Sequence, residues 1–182
     1  SSPKPKISTT FVLETNRCIL RYPSHNDAAV MLIAFTSNEF PKDLPLGLII
    51  SLDEVHNWID RCQTGWADGN MYSWVVDFKP DHSLLGQVTL AQMNEPDAWS
   101  LSYWIHPTHW GQGYATEAAE KVLELGTDTL EATKFWAGTA EWNTSSERVL
   151  EKLGMLHVTD NPQGYNIQGK PIPTKEFELT LS

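Results

Sequence analysis

The stretch Trp104-Ile105-His106-Pro107-Thr108-His109-Trp110-Gly111-Gln112-Gly113-Tyr114-Ala115-Thr116-Glu117-Ala118 decides how this chain is read. An alternating apolar run ends at Ile105, a Gly-x-Gly turn follows, and an amphipathic helix pattern starts at once. Residues without Cβ let the backbone turn tightly and let a ligand come close. The helix start offers N–H groups without partners and the positive end of its dipole. Strand, glycine turn and helix start together make a site for a phosphate or pyrophosphate. Two familiar cradles are excluded. The chain holds no Gly-x-x-x-x-Gly-Lys-Ser/Thr run. The dinucleotide pattern Gly-x-Gly-x-x-Gly/Ala fails at Thr116, and the unit lies mid-chain after several strands.

Trp110-Gly111-Gln112-Gly113-Tyr114-Ala115 resembles the pyrophosphate loop of the GNAT superfamily of N-acetyltransferases, Gln/Arg-x-x-Gly-x-Gly/Ala. It matches at Gly113 and Ala115 and departs at Trp110. The wider wording, from Tyr103-Trp104-Ile105 to Thr116-Glu117-Ala118, resembles the branch of ribosomal-protein alanine N-acetyltransferases, the Rim type. A second block begins at Asn143, thirty residues after Gly113. Asn143-Thr144-Ser145-Ser146, with Leu153-Gly154-Met155 behind it, resembles the Asn-x-x-Ser…Leu-Gly-Phe segment of the same branch. Its own pattern is that of a helix. Thr144 and Glu147 are spaced as a capping box, Val149, Leu150 and Leu153 form one apolar stripe, and Gly154 is a left-handed stop.

The resemblance implies a single GNAT-like domain of α/β (α+β) class. Its mixed, mostly antiparallel sheet is flanked by helices, and the fourth and fifth strands splay apart to admit acetyl-CoA as co-substrate. The implied reaction moves an acetyl group to a primary amine by direct attack on the thioester. The leading acceptor is a protein N-terminal α-amine. A small-molecule amine (polyamine, aminoglycoside or amino compound) is the alternative, and a non-catalytic acyl-CoA-binding module is the alternative from another class. Cofactor contacts are expected from Trp104, Ile105, Trp110, Gly111, Gln112, Gly113, Tyr114, Ala115, Thr116, Asn143 and Ser146. By resemblance, a backbone N–H near Ile105 serves the oxyanion, Asn143 bonds the pantetheine arm, and Ser146 is the catalytic partner of the departing thiolate. The general base stays unassigned. Where many relatives carry a helix tyrosine this chain has Leu150, and the glutamate of the Rim type falls near Tyr165. Glu39, Asp43 and Glu95 lie in segments that could line the acceptor cleft.

Composition agrees with an ordinary globular enzyme. The 182 residues are enough for one domain with a real core, and 41% apolar with 20% charged is common usage. We expect a flexible tail over residues 1–10 and the acetyltransferase domain over 11–182. No apolar run is long enough to span a membrane, and Ser1-Ser2-Pro3-Lys4-Pro5-Lys6 has no apolar signal core, which points to the cytoplasm. The net charge of −10 argues against nucleic acid and anionic membranes as partners and suits a cationic amine. A monomer or homodimer is expected. Cys18 and Cys62 fall on apolar faces and read as buried free thiols. No histidine spacing suggests a metal site.

Alternation predicts strands near 17–22, 72–78, 84–92, 99–105 and 135–142, with two more near 156–159 and 175–181. A turn-rich stretch over 161–173 joins the last two. Ser24 caps a helix carrying Ala28, Met31, Leu32 and Phe35. Ser51 and Glu54 open another, with Leu52, Val55, Ile59 and Cys62 on its apolar face. Trp99 and Trp136 read as core, Trp104 and Trp142 as walls of the splayed cleft, and His106 and His109 as solvated loop residues.

Overall fold

The computed structural model describes residues 6–181. Along them come β1 (Leu13–Glu14), β2 (Cys18–Arg21), α1 (Ala28–Thr36), α2 (Leu52–Asp68), β3 (Met71–Phe78), β4 (Leu84–Gln92), β5 (Ala98–Ile105) and α3 (Tyr114–Asp128). Then follow β6 (Lys134–Ala140), α4 (Thr144–Lys152), β7 (Leu156–Ile167) and β8 (Lys170–Thr180). The strands form one sheet in the order β1-β2-β3-β4-β5-β6-β8-β7. Neighbours are antiparallel except β5 and β6, which run parallel. That parallel pairing reaches only from Ala98 opposite Lys134 to Ser100 opposite Trp136. Beyond it β5 stays with β4 up to Ile105, and β6 stays with β8 up to Ala140. The two strands therefore part. They are the expected splayed pair, shifted by one in number because the two-residue strand Leu13–Glu14 is too short for alternation to reveal.

Helix periodicity explains how the layers close. Val55, Ile59, Cys62 and Trp66 recur at three- and four-residue steps on α2 and are buried. Ser51 Oγ accepts from the Glu54 N–H at 3.2 Å, and Gly69, at φ 74°, ends the helix in the left-handed region. Leu52, expected on the buried stripe, is 45% exposed, because the first turn of α2 projects past the sheet-facing side. Before α1, Ser24 and Asp27 form a reciprocal capping box on a short 3₁₀ turn. Ala118, Ala119, Val122 and Leu123 of α3 join Trp66, Tyr72, Trp74 and Trp99 in the larger core cluster. A smaller cluster links α1 and α2 to Trp104. Cys18 and Cys62 are fully buried free thiols, and burial pushes each up to about 11.

Three expectations are corrected. Part of the segment read as a tail is packed: Ile7 is 3% exposed and its carbonyl accepts from Trp66 Nε1 at 2.9 Å. An apolar residue with a core partner for its backbone is held in place, whereas residues 1–5 lie outside those described. Trp136 is half-buried and not core, since Phe135 and Ala137 take the buried face and alternation turns Trp136 to the other. The stretch 161–173 is largely strand. β7 and β8 make one long hairpin, with its turn at Gln168 and Gly169, both at positive φ. Pro171 and Pro173 are tolerated because β8 pairs with β6 only from Thr174 onward, so no ladder bond is lost on that side.

Candidate active site

Where β5 and β6 part, a cavity of about 490 Å³ opens. Three separated pieces of chain line it. These are the end of β5 with the glycine turn and the start of α3, the Trp142-Asn143 corner with α4, and Phe40, Pro41 and Leu44 beyond α1. All eleven residues nominated from the sequence stand on its wall, and Trp104 and Trp142 are both among its walls.

Gly111 and Gly113 hold φ of 75° and 81°, a region in which a Cβ is strained. Gly113 is the N-cap of α3, and no side chain caps the helix. The amides of Tyr114, Ala115 and Thr116 have no intrahelical acceptor, as at any helix start. An anion there would satisfy them and meet the positive end of the dipole. The cradle therefore fits a pyrophosphate. Trp110 stands where the GNAT loop has Gln or Arg. It is 44% exposed and donates Nε1–H to the Ile105 carbonyl at 2.7 Å, bracing the turn without offering a charge.

A cation stands close to the turn, on a residue that sequence reading did not nominate, Arg17. Glu117 accepts from Thr15 Oγ1 at 2.5 Å, from the Arg17 N–H at 2.9 Å and from Arg17 Nε at 2.8 Å. Burial alone would raise the Glu117 pKa, but these bonds and the Arg17 charge outweigh it and hold the carboxyl below its usual range. The anchored guanidinium lies 4.4 Å over the Tyr114 ring. Its Nη2 stands 3.5 Å from where a Gly113 Cβ would be. Among the described residues neither Nη atom of Arg17 makes a hydrogen bond. The only local signal was a lone arginine in the turn between β1 and β2, a hundred residues upstream of Glu117 in sequence.

β5 supplies the opposite wall. The His106 N–H donates to the Leu85 carbonyl of the β4 side at 2.7 Å. Antiparallel alternation then turns the Ile105 N–H away from β4 and toward the gap. His106 itself is 8% exposed, not solvated, because the turn packs it inward; burial first and then His109 push its pKa down. His109 is half-buried and lines the cavity. Trp104 Nε1 donates to Gln87 Oε1 at 2.9 Å, which fixes the indole in its wall.

α4 departs from its expected cap. Asn143, not Thr144, is the N-cap: its Oδ1 accepts from the Ser146 N–H at 3.1 Å. Thr144 is already the first residue inside the helix, and Glu147 pairs with Lys175 at 3.2 Å. The Ser146 hydroxyl takes no part in capping. It lies 2.7 Å from the Tyr103 hydroxyl, which also stands 3.2 Å from the Ser146 carbonyl. Leu150 is 1% exposed and belongs to the core. Tyr165 donates to the Gly138 carbonyl at 2.7 Å, and burial raises its pKa. Of the three acidic candidates, Asp43 accepts from Trp142 Nε1 at 2.6 Å and so ties together two segments that flank the cavity. Glu39 does not line it, and Glu95 sits in the turn between β4 and β5, at the other end of β5. Arg148 and Lys152 of α4 line the wall, and among the described residues no carboxylate does.

Known proteins share this frame. The acetyltransferase (GNAT) domain family matches residues 17–156. The chain is 27% identical over 171 residues to an uncharacterized N-acetyltransferase of Bacillus subtilis, YoaA, covering 92% of this chain and 96% of that one. It is 31% identical over 122 residues to the Bacillus subtilis protein YkkB, covering 66% of this chain and 67% of that one. In fold it is similar to Mycobacterium smegmatis RimJ, solved in complex with CoA-disulfide, with a TM-score of 0.82 at 17% identity over 98% of this chain and 90% of that one. The family match runs from Arg17, behind the glycine turn, to beyond α4 and so takes in every wall of the cavity, and the chain belongs to the GNAT family of acetyltransferases.

Proposed function

We propose that the chain acetylates a primary amine with acetyl-CoA as co-substrate, and that the acceptor is a protein N-terminal α-amine. When bound, acetyl-CoA supplies the activated acyl group. The chain's own residues then have separate tasks. The amides at the start of α3 and the two free Nη groups of Arg17 receive the pyrophosphate, and Arg17 takes the place of the charge that Trp110 lacks. Arg148 and Lys152 add positive charge along the same wall. The outward N–H of Ile105 meets the developing oxyanion, Asn143 orients the pantetheine with its remaining amide N–H groups, and Ser146 Oγ–H meets the departing sulfur.

One observation carries the choice of acceptor: among the described residues no carboxylate lines the cavity. Tyr165, near which the Rim-type glutamate falls, has its pKa raised by burial and stays a phenol at neutral pH. A lysine-like or polyamine ammonium, with a pKa near about 10.4, needs a strong base to yield its lone pair. An α-amine, near about 8, is partly neutral already and needs only His109 or water. The fold is also shared with RimL, a ribosomal L7/L12 alpha-N-protein acetyltransferase, which supports the same reading.

The test is thiol release from acetyl-CoA against N-terminal peptides, N-blocked lysine peptides, polyamines and aminoglycosides. We expect free N-terminal peptides to be preferred, with kcat/KM rising with pH along the titration of the acceptor amine itself. Equal rates with an N-blocked lysine peptide, or release with polyamines alone, would overturn the acceptor assignment. Tight acetyl-CoA binding with no release for any amine would favour a binding module.

A further inference from the structure

The role given to Ser146 leaves one question of proton direction open. A serine hydroxyl has one proton. If Ser146 donated it to Tyr103, nothing would be left for sulfur. The two hydroxyls lie 2.7 Å apart, and the phenol is the more acidic of the two. The phenol proton has two acceptors on Ser146, the carbonyl at 3.2 Å and Oγ at 2.7 Å; the shorter contact and the greater acidity of the phenol make Tyr103 the donor to Oγ, and the Ser146 proton is freed to point into the cavity. The surroundings hold this order in place. Tyr103 sits on β5 beyond Ser100, where β6 has left, and both it and Ser146 stand on the cavity wall. The Ser146 N–H is already bound to Asn143 Oδ1, which fixes the first turn of α4 against the strand. Burial, and secondarily the neighbouring Tyr165, push the Tyr103 phenol up to about 12, so it stays protonated wherever the protein works. The groups facing Tyr103 from packed elements are Ser146 and Tyr165, and neither carries charge at neutral pH.

We propose that Tyr103 is a positioning residue that acts through Ser146, donating to its Oγ so that the Ser146 O–H is aimed at the sulfur leaving from acetyl-CoA. The inference rests on the reading of Ser146 as the thiolate partner. As the acceptor nitrogen forms its bond to the acyl carbon, the carbon–sulfur bond breaks and its electron pair leaves on sulfur. The nitrogen's proton goes to His109 or solvent, and the sulfur is protonated from solvent on release. Tyr103 and Ser146 keep their own protons throughout and stabilise the sulfur charge by a chain of two hydrogen bonds.

The test compares wild type, Tyr103→Phe, Ser146→Ala and the double variant. Phenylalanine keeps the ring and its packing. We expect Tyr103→Phe to lower kcat about tenfold, with coenzyme A affinity by calorimetry within about threefold. In the Ser146→Ala background the same change should add less than twofold, because the two residues act as one unit. A second readout needs no turnover: the thiol of bound coenzyme A, titrated by its ultraviolet thiolate absorbance, should show a higher pKa in Tyr103→Phe than in wild type. Normal kcat and thiol pKa in a folded Tyr103→Phe, beside a slow Ser146→Ala, would overturn the role of Tyr103 and leave Ser146 in place. Fully multiplicative losses in the double variant would overturn it as well. A Ser146→Ala enzyme with normal turnover and thiol pKa would remove both readings together.

Discussion

At residue 113 two demands meet. The backbone stands at φ 81°, and the open side of the α-carbon looks toward Arg17 Nη2. A valine there would be strained by about 1–2 kcal/mol and would set a branched Cβ between the turn and the guanidinium. We expect Gly113→Val to bind coenzyme A at least about tenfold more weakly, roughly 1.4 kcal/mol, measured by calorimetry beside a thermal melt. Unchanged affinity in the folded variant would move the pyrophosphate away from this turn. The turn itself was legible from Gly-x-Gly followed by helix periodicity. Arg17 was not, because its role comes from Glu117 and Tyr114, both about a hundred residues away in sequence. Asn143 and Thr144 show the reverse error. Both are good caps by type, and the bond from the Ser146 N–H to Asn143 Oδ1 marks which of them is used.

At the scale of elements, α3 is locked to the turn between β1 and β2 through Glu117. Its carboxyl is held below the usual range, so it binds fewer protons when folded than when unfolded at mildly acid pH. The sign follows. The stabilisation is present above the ordinary glutamate range, near about pH 4, and is lost as pH falls through the lower folded value. We expect Glu117→Gln to melt well below wild type at neutral pH and the two curves to converge on acidification. A gap between the melting temperatures that stays constant with pH would show that the carboxylate charge contributes nothing. The helices α2 and α3 were readable because their apolar residues recur at three- and four-residue steps. The hairpin of β7 and β8 was not. Its prolines and glycines carry a turn signature, and they are accommodated only because β8 lies unpaired with β6 over that stretch.

Over the whole molecule the net charge is −10, yet the cavity wall carries Arg148 and Lys152 and, among the described residues, no carboxylate. On the proposed function, a cationic acceptor would be drawn by the general surface and an anion would be met locally. Exposed charges are screened over about 10 Å at 0.1 M salt. We expect KM for a basic N-terminal peptide to rise as salt increases from low to moderate concentration, with kcat unchanged. A KM flat in salt would remove the acidic surface from acceptor recognition.

The glycine turn, the caps before α1 and α2, and the order of the elements other than the two-residue β1 follow from local sequence. Each depends on backbone freedom or side-chain periodicity within a few residues. The tertiary structure alone decided which hydroxyl faces Ser146, which arginine stands at the glycine turn, and which carboxylates are kept out of the cavity. Those contacts join β5 to α4 and β2 to α3, and the parting of β5 from β6 beyond Ser100 creates the space they enclose. Pairing geometry between distant segments sets them, and no short pattern in the chain encodes it.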